Sequence, residues 1–196
     1  SDFRQYSDPL APLLDFNNVS GLCVDANPAV LARAQEHLRG TDIVVVHRVL
    51  DRNSAQELVA DMEIDALNID IDSIDRDVLV STLKVVRPRI LTVETLCALP
   101  GLFEFYWSEL PNSLDVEDRM ESFERDIHCL PSNPFQGATF MTWVKDLLPF
   151  GYFLYKTTVD NAMFLHYTVA AAVTQHTGVQ FPVDEVACYL MRPQYS

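Results

Sequence analysis

Acidic residues at points where the chain turns from strand to helix are the first chemistry this sequence offers. The segment LNIDIDSID sets Asp70, Asp72 and Asp75 close together, and on a strand Asp70 and Asp72 would share one face. Three neighbouring carboxylates repel one another unless a cation or hydrogen-bond donors lie among them. A hard divalent ion such as Mg²⁺ prefers carboxylate oxygen, and Glu94, ending RILTVE, joins Asp70 and Asp72 as a candidate metal ligand. The other reading gives Asp70 a proton-accepting or substrate-steering role, while Asp72 and Asp75 cap the next helix and favour its positive end.

A second acid, Asp25, closes GLCVD. In doubly wound nucleotide-binding folds that position holds a carboxylate that accepts two hydrogen bonds from ribose hydroxyls. The alternative is that Asp25 caps the helix that follows, which the sequence Asp-x-Asn-Pro also suits. His47 ends the apolar run IVVVH, where a histidine can act as a general base, a hydrogen-bond donor to a loop or a surface residue. His128, beside Cys129, has no Cys or His partner at metal-ligand spacing and is not read as a zinc ligand.

The elements that must position these residues alternate from Gly21 onward: GLCVDANP, PAVLARAQEHLRG, DIVVVHRVL, SAQELVADM, IDALNIDID. Short β-branched runs alternating with helical stretches predict βαβ connections and a parallel sheet. Pro at the entrance and Gly after the last apolar turn bound a helix over Pro28–Gly40. Residues 64–71 read as a strand, Asp75–Val86 as a crossover helix and Arg89–Glu94 as a buried strand, so two neighbouring strands end in carboxylates. Beyond the sheet's carboxyl ends is where open α/β folds bind ligands.

Between Leu99 and Phe135 the periodicity fails, Phe103, Phe105, Tyr106 and Trp107 cluster, and Pro100, Pro111, Pro131 and Pro134 break the segment into turns. Residues 99–135 are expected to form a lid or substrate insertion in a single domain spanning 1–196. A helix around Ala138–Leu148 follows, then a turn at Pro149–Gly151 and a hairpin of strands Tyr152–Tyr155 and Asn161–Leu165. The tail holds a helix Val169–His176 closed by Gly178, and an apolar run Val186–Leu190.

Composition narrows the partners. A net charge of −14 opposes a sequence-independent hold on nucleic-acid phosphate or an anionic membrane, because that affinity depends on Lys and Arg displacing counterions. With 48% hydrophobic residues the chain can bury a sizeable core, yet its longest apolar runs are too short to cross a bilayer. Residues 1–20 lack the order of a signal peptide. Cys23, Cys97, Cys129 and Cys188 lie far apart and are expected to be reduced. The expectation is a cytoplasmic protein with a small-molecule partner.

GLCVDANP, the SAQELV helix before DALNIDIDSIDRDVL, RPRILTVE, and GATFMTWVKDLLPFGYFLYKTTVDNAMFL, in this order, resemble the FkbM-like branch of class I S-adenosylmethionine-dependent methyltransferases over about residues 20–166. The resemblance implies a Rossmann-like fold, a mostly parallel sheet with helices on both faces and a C-terminal antiparallel hairpin. It also implies S-adenosylmethionine as methyl donor, with Asp25, Asn27 and His47 as the candidate cofactor-binding residues and Asp70 and Asp72 as the candidate catalytic ones. Members of that family begin with a strand and a glycine-rich loop, whereas SDFRQYSDPLAPLL has no glycine, so that first strand and loop are expected to be missing here.

The reaction expected is O-methylation of a small hydroxylated molecule or sugar, by in-line attack of a substrate oxygen on the sulfonium methyl, with Mg²⁺ as a candidate auxiliary. The rivals are a non-catalytic binding domain on the same fold and a divalent-metal-dependent hydrolase built on Asp70 and Asp72. No Ser/His/Asp elbow, phosphate-binding GxxxxGK[ST] loop or GxGxxG is present, which argues against a serine hydrolase, a P-loop NTPase and a nicotinamide enzyme.

Overall fold

The run SGLCVD forms the first strand, β1 (Ser20–Asp25), and the β-branched run DIVVVH forms β2 (Asp42–His47). The two lie parallel, with Asp25 opposite His47. Helix α1 (Pro28–His37) crosses between them; Pro28 fits its first turn, and Asn27 caps it by accepting the Ala29 N–H at 2.9 Å. The helix buries Leu31 and Ala34, and the chain leaves it through Gly40 at φ +86°, a left-handed turn suited to glycine. In this computed structural model, residues 9–10, 12–13, 18–71, 74–95, 104, 106, 138–157 and 161–178 are described.

Helix α2 (Arg52–Val59) begins with a reciprocal cap: Asp51 accepts the N–H groups of Asn53 and Ser54, and the Ser54 hydroxyl accepts the Asp51 N–H. It leads to β3 (Ala66–Ile69), shorter than the 64–71 strand the sequence suggests: only Ala66–Ile69 stand in register with β4, and Asp65 before them contributes its carbonyl, which accepts the Arg89 and Ile90 N–H groups. Helix α3 (Asp75–Thr82) is also shorter than expected, its helical bonding tightening after Thr82 into a turn where Lys84 N–H bonds Ser81 O and Val85 N–H bonds Thr82 O. Helices α2 and α3 lie side by side, joined by Ser81 Oγ to Arg52 O at 2.8 Å, Gln56 Nε2 to Ser81 O at 2.9 Å and an Arg52–Asp77 ion pair at 2.7 Å.

Strand β4 (Ile90–Glu94) runs parallel to β3. Helix α4 (Phe140–Leu147) and a 3₁₀ turn, Leu148–Phe150, follow. Gly151, at φ +87°, then opens β5 (Tyr152–Thr157); a Cβ there would meet the Tyr167 ring at 3.1 Å. Strand β6 (Asn161–His166) pairs antiparallel with both β5 and β4, and the β5 pairing shifts register between Leu154 and Lys156. Helix α5 (Tyr167–Thr177) ends on left-handed Gly178.

The architecture is mixed α/β, with parallel crossovers followed by a reversed hairpin, as expected. One difference stands out: among the described residues the strands form two sheets, β1–β2 and β3–β4–β6–β5, where the sequence suggests one. The main core belongs to the second sheet, in which Leu91, Val93, Leu154 and Phe164 meet α3 and α4 through Val78, Leu79, Phe140, Trp143 and Leu147. Within the described residues no helix is long and apolar enough to cross a membrane. Most of the 99–135 segment, the Val186–Leu190 run, His128 and three of the four cysteines lie outside the described residues.

Candidate functional site

Asp25, Asp70 and Glu94 stand at the carboxyl ends of β1, β3 and β4, where the topology of an open α/β fold leaves room for a ligand. Asp25 and His47 are brought together by the parallel register of β1 and β2. Asp70 and Glu94 are brought together in the other sheet, each following the paired residues Ile69 and Val93.

Asp25 is half-buried, and its Oδ1 accepts the Asn27 N–H at 2.6 Å. It therefore closes the turn before α1, whereas the helix cap is Asn27. Oδ2 of Asp25 has no partner among the described residues, and a carboxylate with one oxygen so engaged keeps the capacity to accept two hydroxyl donors. Exposed His47 reaches back across the strand ends, its Nε2 lying 2.9 Å from Ala26 O.

Asp70 is exposed. Asp75, by contrast, is fully buried, and its Oδ1 accepts the Ile71 N–H at 2.8 Å, tying the β3–α3 turn to the first residue of the helix. That acid holds the loop in shape and lies at the helix's positive end. Asp72 falls outside the described residues. Among those described, no three His, Cys, Asp or Glu side chains converge in a way that could hold a metal ion. With Asp72 outside the described residues, the Mg²⁺ set of Asp70, Asp72 and Glu94 stands untested, and nothing among the described residues speaks for it.

The end of β4 is fastened from behind. Trp143, wholly buried on α4, donates its indole N–H to Glu94 O at 2.8 Å, and Thr95 bridges to Ala138 just before that helix. On the other side Asn161, the first residue of β6, stands opposite Glu94. Glu94 Oε2 and Asn161 Oδ1 are both buried, and so are the Thr95 and Thr157 hydroxyls, which find no hydrogen-bond partner among the described residues. A buried polar atom without a partner costs roughly 1–3 kcal/mol, so polar groups are concentrated at this end of the sheet at some cost in stability. Sequence reasoning did not single out Asn161, Thr157 or Trp143; the only signal was their place within the long C-terminal stretch GATFMTWVKDLLPFGYFLYKTTVDNAMFL.

A second polar cluster lies along the helices. Arg76 of α3 is held by both oxygens of Asp146 and by Asp77, and its guanidinium stacks 3.9 Å from the Tyr106 ring centroid. The Asp146 carboxylate raises the Arg76 pKa further above its ordinary value. Lys145 pairs with Glu104 nearby. These pairs join α3 and α4 to each other and to residues 104 and 106.

No family model matches the sequence, and none of the curated proteins matches it. Among solved structures, the chain is similar to an O-methyltransferase family protein from Burkholderia thailandensis, with a TM-score of 0.44 and 12% sequence identity over 76% of this chain. The match covers 44% of that protein, less than half its length. A likeness of that strength leaves function to be argued from the residues.

Proposed function

We propose that this chain is a methyltransferase domain that binds S-adenosylmethionine and methylates a hydroxyl of a small molecule or sugar. The observation that carries the reading is that Asp25, Asp70 and Glu94 each stand at the carboxyl end of a strand in a parallel pair, Asp25 in β1–β2 and the other two in β3–β4, and strand ends of this kind are where such folds bind nucleotides. The sequence resemblance over residues 20–166 supports it, and the reversed β5–β6 hairpin agrees with it.

In this reading Asp25 receives the two ribose hydroxyls of the donor on its carboxylate, with Asn27 holding the turn from which it projects. A bound sulfonium donor supplies an activated methyl group, so little covalent chemistry is asked of the protein beyond alignment. Exposed Asp70 orients the acceptor hydroxyl and takes its proton as the oxygen attacks. Glu94, its carbonyl held by Trp143, forms the wall beside it. A net charge of −14 favours a neutral or cationic acceptor over a polyanion. No step is assigned to a metal ion.

The test is transfer of a labelled methyl group from S-adenosylmethionine to a panel of hydroxylated small molecules. Asp70→Asn should lower the rate by about 10²-fold or more, in the range general-base removal produces, with the circular dichroism spectrum unchanged. Full activity in that variant sinks the assignment of Asp70. Absence of donor-dependent transfer by the native chain, together with absence of S-adenosylhomocysteine binding, would favour a non-catalytic binding domain.

A further inference from the structure

The turn that presents Asp25 is held by hydrogen bonds, because packing contributes little to it. Asp25 is half-buried, Ala26, Asn27 and Pro28 are exposed, and no residue of β1 or β2 is fully buried. Three bonds fix the turn. Arg48 N–H extends the parallel ladder to Asp25 O at 3.1 Å, Asn27 N–H bonds the Asp25 carboxylate at 2.6 Å, and His47 Nε2 bonds Ala26 O at 2.9 Å. The third is the sole side-chain tie among the described residues from β2 to this turn.

A carbonyl oxygen can only accept, so the bond selects the form of His47 that carries its proton on Nε2. The Ala26 carbonyl belongs to the peptide joining Ala26 to Asn27, and the N–H of that same peptide is the one on the Asp25 carboxylate. Fixing one end of a planar peptide fixes the other. Held by His47, the peptide cannot rotate its N–H away from Asp25.

We infer that His47 is a positioning residue for the ribose-binding carboxylate: it sets the orientation of Asp25 through the Ala26–Asn27 peptide and does not itself touch the donor. The inference rests on the donor-binding reading above. It also gives His47 a role distinct from direct cofactor contact.

Calorimetric titration of the 196-residue chain with S-adenosylhomocysteine and with its 2′,3′-dideoxy analogue tests it, in the native protein and in His47→Ala and His47→Gln. Native protein should prefer the hydroxylated ligand. His47→Ala should weaken S-adenosylhomocysteine binding by about tenfold, the scale of one misaligned charge-assisted hydrogen bond, while leaving the dideoxy analogue unchanged; His47→Gln, which keeps an N–H donor, should recover part of the loss. Equal loss for both ligands, or no loss, overturns the inference. Failure of the native protein to bind S-adenosylhomocysteine overturns the donor reading and the ribose role with it. Hydrogen exchange separates the two failures, because the Asn27 amide should exchange several-fold faster in His47→Ala whatever the ligand does. Unchanged exchange overturns the positioning itself.

Discussion

The β1–β2 pair and the four-stranded sheet are built from similar sequences and end up in different states. Both are rich in Val, Leu and Ile. In β4 the three central residues Leu91, Thr92 and Val93 are no more than 1% exposed, whereas in β2 Val44 is 60% exposed and no residue is fully buried. The difference lies in what covers them. The larger sheet is covered by α3 and α4, with Trp143, Phe140, Leu79 and Leu147 filling the layer. Among the described residues the pair has α1 and its C-terminal cap, which bury only Leu31, Ala34 and Leu38. Apolar composition makes a strand fit for burial, and a second layer is what buries it. The candidate site draws on both parts, with the proposed donor-binding Asp25 on the lightly covered pair and Asp70 and Glu94 on the well-packed sheet.

The sharpest way to break this contrast is at Trp143. Trp143→Ala removes the largest fully buried side chain and the bond that holds Glu94 O, and should cost about 3–5 kcal/mol in urea unfolding. Val44→Ala on β2 should stay within about 0.5 kcal/mol, as surface changes do. Comparable losses for the two would refute the contrast. A smaller effect tests the link between the halves: Asp51→Ala removes both acceptor bonds of the α2 cap and should cost about 1 kcal/mol, read as a lowered thermal midpoint.

The smallest expected effect is a pH dependence at the base of the four-stranded sheet. Burial, with Arg87 adding to it, holds the His166 pKa below its ordinary value of 6.5. The unfolded chain therefore binds the proton first as pH falls. The stability this residue contributes is complete above about pH 6.5 and is lost as pH falls through its lower folded value. His166→Gln should flatten that part of the acid limb of the stability curve; an unchanged slope would show that His166 contributes nothing to it. Tyr152, whose hydroxyl donates to Pro88 O and whose pKa burial pushes up to about 12, stays neutral throughout this range.

Local signals were read well from the sequence and distant ones poorly. Pro28 and Gly40 bound the first helix, Gly178 ends the last, and the Gly151 turn introduces the hairpin, because each depends on a few neighbouring dihedral angles. The acids at the strand ends were also visible, as apolar runs closing on Asp or Glu. The division into two sheets was not, since pairing depends on partners far along the chain. The Trp143–Glu94 bond spans 49 residues and the His47–Ala26 bond 21. Asp75 illustrates the limit: its position suggested a cap, and its carboxylate instead turns back to the Ile71 amide.

The edge of the four-stranded sheet has a practical consequence in the test tube. At the far edge β5 carries a register shift and Lys156, devices that discourage a further strand from docking. That edge is therefore a poor template for main-chain pairing with a second copy of this chain, even in concentrated stocks.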